Sequence, residues 1–286
     1  MELEDEEAED VTPWWGAVAL NEETGGRWDV GPSTLWVYRG RHDWRFVHRP
    51  STGATTDPMA HRSEATVPVS ASEMDAVLAA EEEGLQTSRH SVRRTEAMIH
   101  LRPALADRPV VSRPEHPLHV PPGESVTLYL STALWIQVVR ADEKTVLQEV
   151  PSHRMSDTWF GPSTLSGELC YATRTAGRLR LDHLPLRLHR AVTPLRVQNQ
   201  SDAGLALERV QLPTPHLTLY QAANDTLWTN AVTMRHVTTG EGASVHVREG
   251  APDVVEAAEK LRPPRTPDRR GLMTSTFGAF EALFGS

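Results

Sequence analysis

The sequence predicts a mainly β protein. An immunoglobulin-like antiparallel β-sandwich is expected over residues 96–250, with a hairpin-plus-helix region over 13–95 and a short helical C-terminus over 251–286. Three observations predict this. Between Thr95 and Glu249, short alternating apolar and polar runs recur at close spacing, separated by Pro, Gly, Asp and Ser. Strands and helices do not alternate there, which argues against βαβ units. Ahead of that region, a single segment, SASEMDAVLAAEEEG, carries a clear helical period.

Taken in order, residues 1–12 open with the acidic run MELEDEEAED, expected to be a solvated, disordered tail. LWVYRGRHDWRFVHR splits at Gly40–Asp43 into two runs rich in Trp, Val, Tyr and Phe, and reads as a β-hairpin. Pro50 to Pro68 reads as a loop. The helix then starts with a capping pair, either Ser70 with Glu73 or Ser72 with Asp75. Met74, Val77 and Leu78 fall on one face, and Gly84 offers a stop. Residues 85–95 are polar and basic, a connector.

Predicted strands follow at AMIHL, VVSR, SVTLYLST, LWIQVVR, TVLQEV, ELCYATR, RLRL, LRVQN, LALERVQL, LTLY, AVTMRHV and ASVHVRE. At the end, APDVVEAAEKL reads as a short helix capped by Asp253 and Glu256, and RPPRTPDRR as a stiff basic linker. LMTSTFGAFEALFGS places Met273, Phe277, Phe280 and Phe284 on one apolar helical seam.

GPSTL occurs at 31–35 and again at 161–165. Trp28 and Trp159 precede the two copies out of register by one residue, and alignment beyond the leucines needs gaps at once. The pentapeptide therefore reads as a strand-restarting turn, with proline at the first central position, and not as the trace of a duplication.

The chain of 286 residues is long enough to bury a core without disulfide or metal staples. The N-terminus has no basic start or apolar core, and Cys170 is the single cysteine, so the expected compartment is the cytoplasm. The net charge of −9 argues against a generic nucleic-acid binder, so no nucleic-acid partner is expected. Lys144 and Lys260 are the only lysines, so the cations are nearly all arginine.

The densest run of reactive groups is HRMSDTWFGPSTLSGELCYATRT at 153–175. If the chain is an enzyme, Glu168 is the candidate general base, Cys170 the nucleophile, Arg174 the anion clamp and His153 a further titrating group. Against this, a strand over 168–172 puts Glu168, Cys170 and Ala172 on one face, and an isolated cysteine is usually a small buried hydrophobe. No metal is expected. Glu115, His116 and His119, like Asp182, His183 and His189, lack the spacing of a helical zinc pair and read as surface or strand-edge groups. No cofactor motif is present either. Trp14, Trp15, Trp28, Trp36 and Trp44 crowd the start of the chain and read as core before they read as a ligand groove.

RPEHPLHVPPGESVTLYLSTALWIQVV, the 153–175 segment, RAVTPLRVQN and LALERVQLPTPHLTLY together resemble a prokaryotic family of unknown function, the one numbered four hundred and thirty-two. Its strand–turn–strand signature is matched by Phe160, Gly161, Pro162, Gly167, Cys170 and Tyr171. The resemblance covers about residues 96–240, with weaker echoes in the Trp28–Trp44 hairpin, and leaves the acidic run and the C-terminal tail outside. It implies a soluble β-rich protein and no particular reaction.

The function expected first is that of a non-catalytic interaction or scaffold protein with a protein partner. It would bind through Trp159, Tyr171 and Arg174 or through the tail residues Phe277, Phe280 and Phe284. An enzyme or small-ligand binder using 153–175 is the alternative. A membrane-peripheral role through residues 262–286 is the third reading.

Overall fold

The computed structural model describes residues 13–50, 67–80, 84–114, 118–161, 165, 167–175, 177–181, 187–238 and 242–267, with only the backbone of Arg174, Thr175, Thr238, Gly242 and Ala243. Strands β1 (Gly16–Ala19), β2 (Thr24–Val30), β3 (Ser33–Arg39), β4 (Asp43–Arg49) and β5 (Val67–Val69) lead to helix α1 (Ala71–Ala79). There follow β6 (Gln86–Ser91), β7 (Met98–Ala104), β8 (Val110–Pro114), β9 (Leu118–Val120), β10 (Ser125–Ala133), β11 (Trp135–Arg140) and β12 (Val146–Pro151). Next come β13 (Ser156–Phe160), β14 (Glu168–Thr175), β15 (Arg190–Asn199), β16 (Leu205–Leu207), β17 (Val210–Leu212) and β18 (Leu219–Gln221). The last four are β19 (Leu227–Thr229), β20 (Val232–Thr238), β21 (Gly242–Val247) and β22 (Glu259–Arg262). The protein is mainly β.

Two compact units divide the chain: Met1–Arg102 with Gln137–Val150, and Pro103–Ile136 with Pro151–Ser286. The first unit thus runs to Arg102 and also holds most of β11 and β12. No local pattern announces such a return, because only a distant strand partner decides it.

In the first unit, β5-β2-β3-β4-β6 form an antiparallel sheet. The first GPSTL joins β2 to β3, with Val30 opposite Ser33 and Gly31–Pro32 between them. Gly31 has φ +60. Proline holds its own φ negative, so a two-residue hairpin here needs positive φ at its first position alone, the requirement of a type II′ turn. Proline therefore occupies the second central position and not the expected first. The β3–β4 hairpin pairs as predicted, closed by Gly40 N–H to the Asp43 carbonyl at 2.9 Å.

Residues 86–91, expected as a connector, form a strand along β4. Their side chains are exposed or half-exposed, so they carry no apolar alternation, while the ladder is made by backbone alone. Of the two possible caps on α1, Ser70 with Glu73 forms the box: Ser70 Oγ accepts the Glu73 N–H, and Glu73 Oε2 accepts the Ser70 N–H at 2.7 Å. Met74 then enters a cluster of Trp36, Tyr38, Val47 and Val69, while Leu78 stays 38% exposed. Strands β1-β7-β11-β12 form a second sheet.

In the second unit, β21-β20-β15-β19-β18-β22 make the largest sheet, with β10 also paired to β15. A second sheet runs β13-β14-β8-β17, and β9 pairs with β16. The expectation of purely antiparallel pairing is corrected: β14 runs parallel to β8, and β15 parallel to both β19 and β20. Parallel neighbours require long connections, which strand-by-strand reading does not register. RLRL supplies only an isolated bridge from Arg178 to Tyr129.

The helix expected over APDVVEAAEKL is also absent. Val255 N–H closes one turn onto the Pro252 carbonyl, Ala257 takes φ +48, outside helical space, and Glu259–Arg262 extends along the edge of β18. The segment expected to be a linker is held in place, with Thr266 N–H on the Pro215 carbonyl and Arg265 Nε on the Leu105 carbonyl. The acidic run and the seam with Phe277, Phe280 and Phe284 lie outside the described residues. Among those described, no helix is long and apolar enough to cross a membrane.

Candidate functional site

The site follows from the alternation of β13 and β14, which pair with Trp159 opposite Leu169 and Asp157 opposite Tyr171. Successive residues of a strand point to opposite faces, so the hairpin has two distinct sides. Phe160 and Cys170 face inward with Val111 as one buried cluster. Trp159, Leu169, Asp157 and Tyr171 share the other side.

On the inner side, Cys170 is fully buried. Burial, opposed in part by a hydrogen bond from Gln211, pushes its thiol up to about 11. The Gln211 amide donates both to Glu168 Oε1 (2.6 Å) and to Cys170 Sγ (3.3 Å). The structure thus brings Glu168 and Cys170 together, but as a structural pair under one amide. A thiol held that far above neutrality keeps its proton at physiological pH, and the protonated form is a poor nucleophile.

Among the described residues no hydrogen bond joins the buried His153 Nδ1 to either of these two. Burial, then the positive charge of Arg190, pull its imidazole below its ordinary value. For Arg174 the structure describes the backbone alone, in register with Arg113 of β8.

On the outer side, Trp159 is 46% and Leu169 44% exposed, an apolar pair facing solvent across the ladder. Beside it Tyr171 is fixed from three directions. Its hydroxyl donates to Asp107 Oδ1 at 2.9 Å, its ring lies 5.2 Å from that of Trp135, and the Arg108 guanidinium sits 5.3 Å above it. Burial and the Asp107 hydrogen bond push the phenol up to about 12, so Tyr171 keeps its proton and remains a donor. Arg108 also pairs with Asp157 at 3.1 Å. The face therefore combines an apolar end with a preorganised aromatic and cationic end. Arg108, Asp107 and Trp135 were missed in the sequence, where Arg108 lies 49 residues from Asp157 and no motif joins them.

The glycine of the signature has a steric reason. A Cβ on Gly167 would lie 2.7 Å from both the Phe160 carbonyl oxygen and Trp159 Nε1. Gly167 thus lets the returning chain pass under the indole.

A second concavity, of about 260 Å³, is lined by Leu181, Ala222, Trp228, Val254, Asn224 and Glu256 among others. Trp228 Nε1 donates to Thr226 Oγ1, which in turn donates to Asn224 Oδ1, so its polar groups are largely engaged with each other. Among the described residues no group of three His, Cys, Asp or Glu side chains is placed to hold a metal. His119 is exposed on β9, whereas His189, expected at the surface or a strand edge, is buried just ahead of β15. Of the eight tryptophans, Trp14, Trp28, Trp36, Trp44, Trp135 and Trp228 are buried in the core.

These features define a mainly β protein that displays an aromatic face on a sheet-edge hairpin. The chain belongs to the family described as "Protein of unknown function (DUF432)", whose model matches residues 14–281. The match is wider than the 96–240 expected, taking in the N-terminal sheet and most of the C-terminal tail. No curated protein and no solved structure matches the chain.

Proposed function

We propose that this chain is a non-catalytic interaction protein that binds a protein partner through the outer face of the β13–β14 hairpin. The observation that carries this is the cross-strand pair Trp159 and Leu169, both nearly half exposed, beside a Tyr171 already immobilised by Asp107, Trp135 and Arg108. Trp, Tyr and Arg are the side chains that most often dominate interface energy, and fixing them before binding lowers the ordering cost. Among the described residues β13 is also an edge strand, and such a strand presents unpaired backbone groups to a partner.

The enzyme reading needs Glu168, Cys170 and His153 to act on one substrate. The buried thiol and the Gln211 clamp weigh against it. We take the second unit as an immunoglobulin-like sandwich variant with added parallel pairings. The cytoplasm is the compartment this reading adopts, where Cys170 stays reduced. A membrane role is left with residues beyond Pro267, since Arg265 and Thr266 are bonded to the second unit.

The test is affinity capture with the wild-type chain and with Trp159→Ala/Leu169→Ser. The wild type is expected to retain a stoichiometric protein partner that the double variant loses while unfolding at the same temperature. Equal retention by both overturns the assignment. Co-sedimentation with anionic liposomes and no protein partner would favour the tail.

A further inference from the structure

Arg190 begins β15, pairs in register with Ala133 of β10 and is only 8% exposed. Its Nε donates to Ser131 Oγ at 2.8 Å and its Nη2 to the Ser131 carbonyl at 2.6 Å. A guanidinium has five N–H donors. The others find no acceptor among the described residues, and no carboxylate there pairs with the charge. Nη1 makes no hydrogen bond to a described residue.

Among the described residues the neighbouring charge is positive as well. Burial and the neighbouring Arg187 pull Arg190 down to about 10. His153 feels the same charge, and its buried Nδ1 has no partner. The position is rigid. Ser152 N–H donates to the Leu134 carbonyl (2.8 Å), Leu134 N–H to the His189 carbonyl (3.1 Å), and Ser152 Oγ to that same carbonyl (3.1 Å). Three chain segments are thereby stitched side by side around Arg190 and His153.

A buried cation without a counter-charge is strongly unfavourable, and folded proteins pair such groups or give them a ligand. We propose that Arg190, with His153 beside it, binds a small oxyanion of carboxylate or phosphate chemistry. Ser131 occupies the Nε side of the guanidinium. The end-on edge, with one N–H from each terminal nitrogen, is left for two oxygens of the anion. His153 Nδ1 supplies a further donor in the tautomer that carries its proton there. This site does not use the Trp159 face and stands or falls independently of it.

The full chain is titrated with inorganic phosphate and, separately, with acetate, by calorimetry and thermal unfolding, against sodium chloride at matched ionic strength. One of the two is expected to bind saturably and raise the unfolding temperature above the chloride control. Which one does so distinguishes a phosphate from a carboxylate ligand. Arg190→Met should abolish the anion-specific shift while unfolding in chloride no earlier than the wild type, since it removes an unpaired buried charge. Arg190→Lys should bind roughly tenfold more weakly, having lost the fork, and His153→Gln should bind more weakly than the wild type. The proposal is overturned if neither anion exceeds chloride, or if Arg190→Met keeps the shift. Should Arg190→Met not fold, undiminished binding by both Arg190→Lys and His153→Gln overturns it equally.

Discussion

Gly167 has no room for a side chain, because its neighbours at 2.7 Å include a backbone carbonyl that cannot swing aside. Gly167→Ala should destabilise the chain by about 1–3 kcal/mol, the usual cost of overpacking, and should shift Trp159 fluorescence even where the fold survives. Unchanged emission and stability would mean that the hairpin does not pass under the indole. Cys170 is the complementary case. With its thiol near 11 and no solvent exposure, it should resist alkylation in the native protein at neutral pH and react fully in denaturant. Cys170→Ala should cost about 1 kcal/mol, as for a small buried group. Rapid labelling of the native chain would revive the nucleophile reading. Both residues belong to the signature noted in the sequence, but their roles were only half legible there. Alternation gave the faces of β14, whereas the Gln211 clamp and the Arg108–Asp157 pair come from strands that no local pattern connects.

At the scale of elements, two buried polar devices hold ends of strands in place. Asn199 closes β15 by donating to the carbonyls of Val120, Pro121 and Ala203 and accepting from Ser201 N–H and Oγ. Asn199→Ala strands several buried backbone groups at once, so a loss of about 3 kcal/mol is expected in denaturant titration; a loss below about 1 kcal/mol would show that the loop re-satisfies them. At the start of β4, burial raises the Asp43 carboxyl, but hydrogen bonds from Arg45 and Arg89 outweigh that and hold it below its ordinary value of 3.8. A depressed carboxyl adds stability that is fully present above the unfolded-state value and is lost as the pH falls through the folded one. Stability of the wild type should therefore drop more steeply below about pH 4 than that of Asp43→Asn, and parallel acid limbs would rule the network out.

Elements with strong periodicity were legible: the β3–β4 hairpin, the capped helix α1 and the alternating β10. Those decided by a partner were not. β6 lacks an apolar face, β22 resembles a helix until Ala257 turns away, and β9, β13 and β19 are too short to announce themselves.

For the whole molecule, the mainly β class was readable from turn spacing alone. The interleaving of Gln137–Val150 with the first unit was not, since it depends on β11 finding β7. The chain has a core rich in tryptophan, yet it leaves Trp159 at the surface beside Leu169 and a clamped Tyr171. That exposed tryptophan, where six of the eight are buried, carries the functional account. It is tested most directly by a photo-crosslinking amino acid placed at position 159 in living cells, with position 78 on α1, also solvent-exposed, as control. One discrete protein adduct is expected from position 159 and none of it from position 78. No discrete adduct at 159, or the same adducts at both positions, would contradict it.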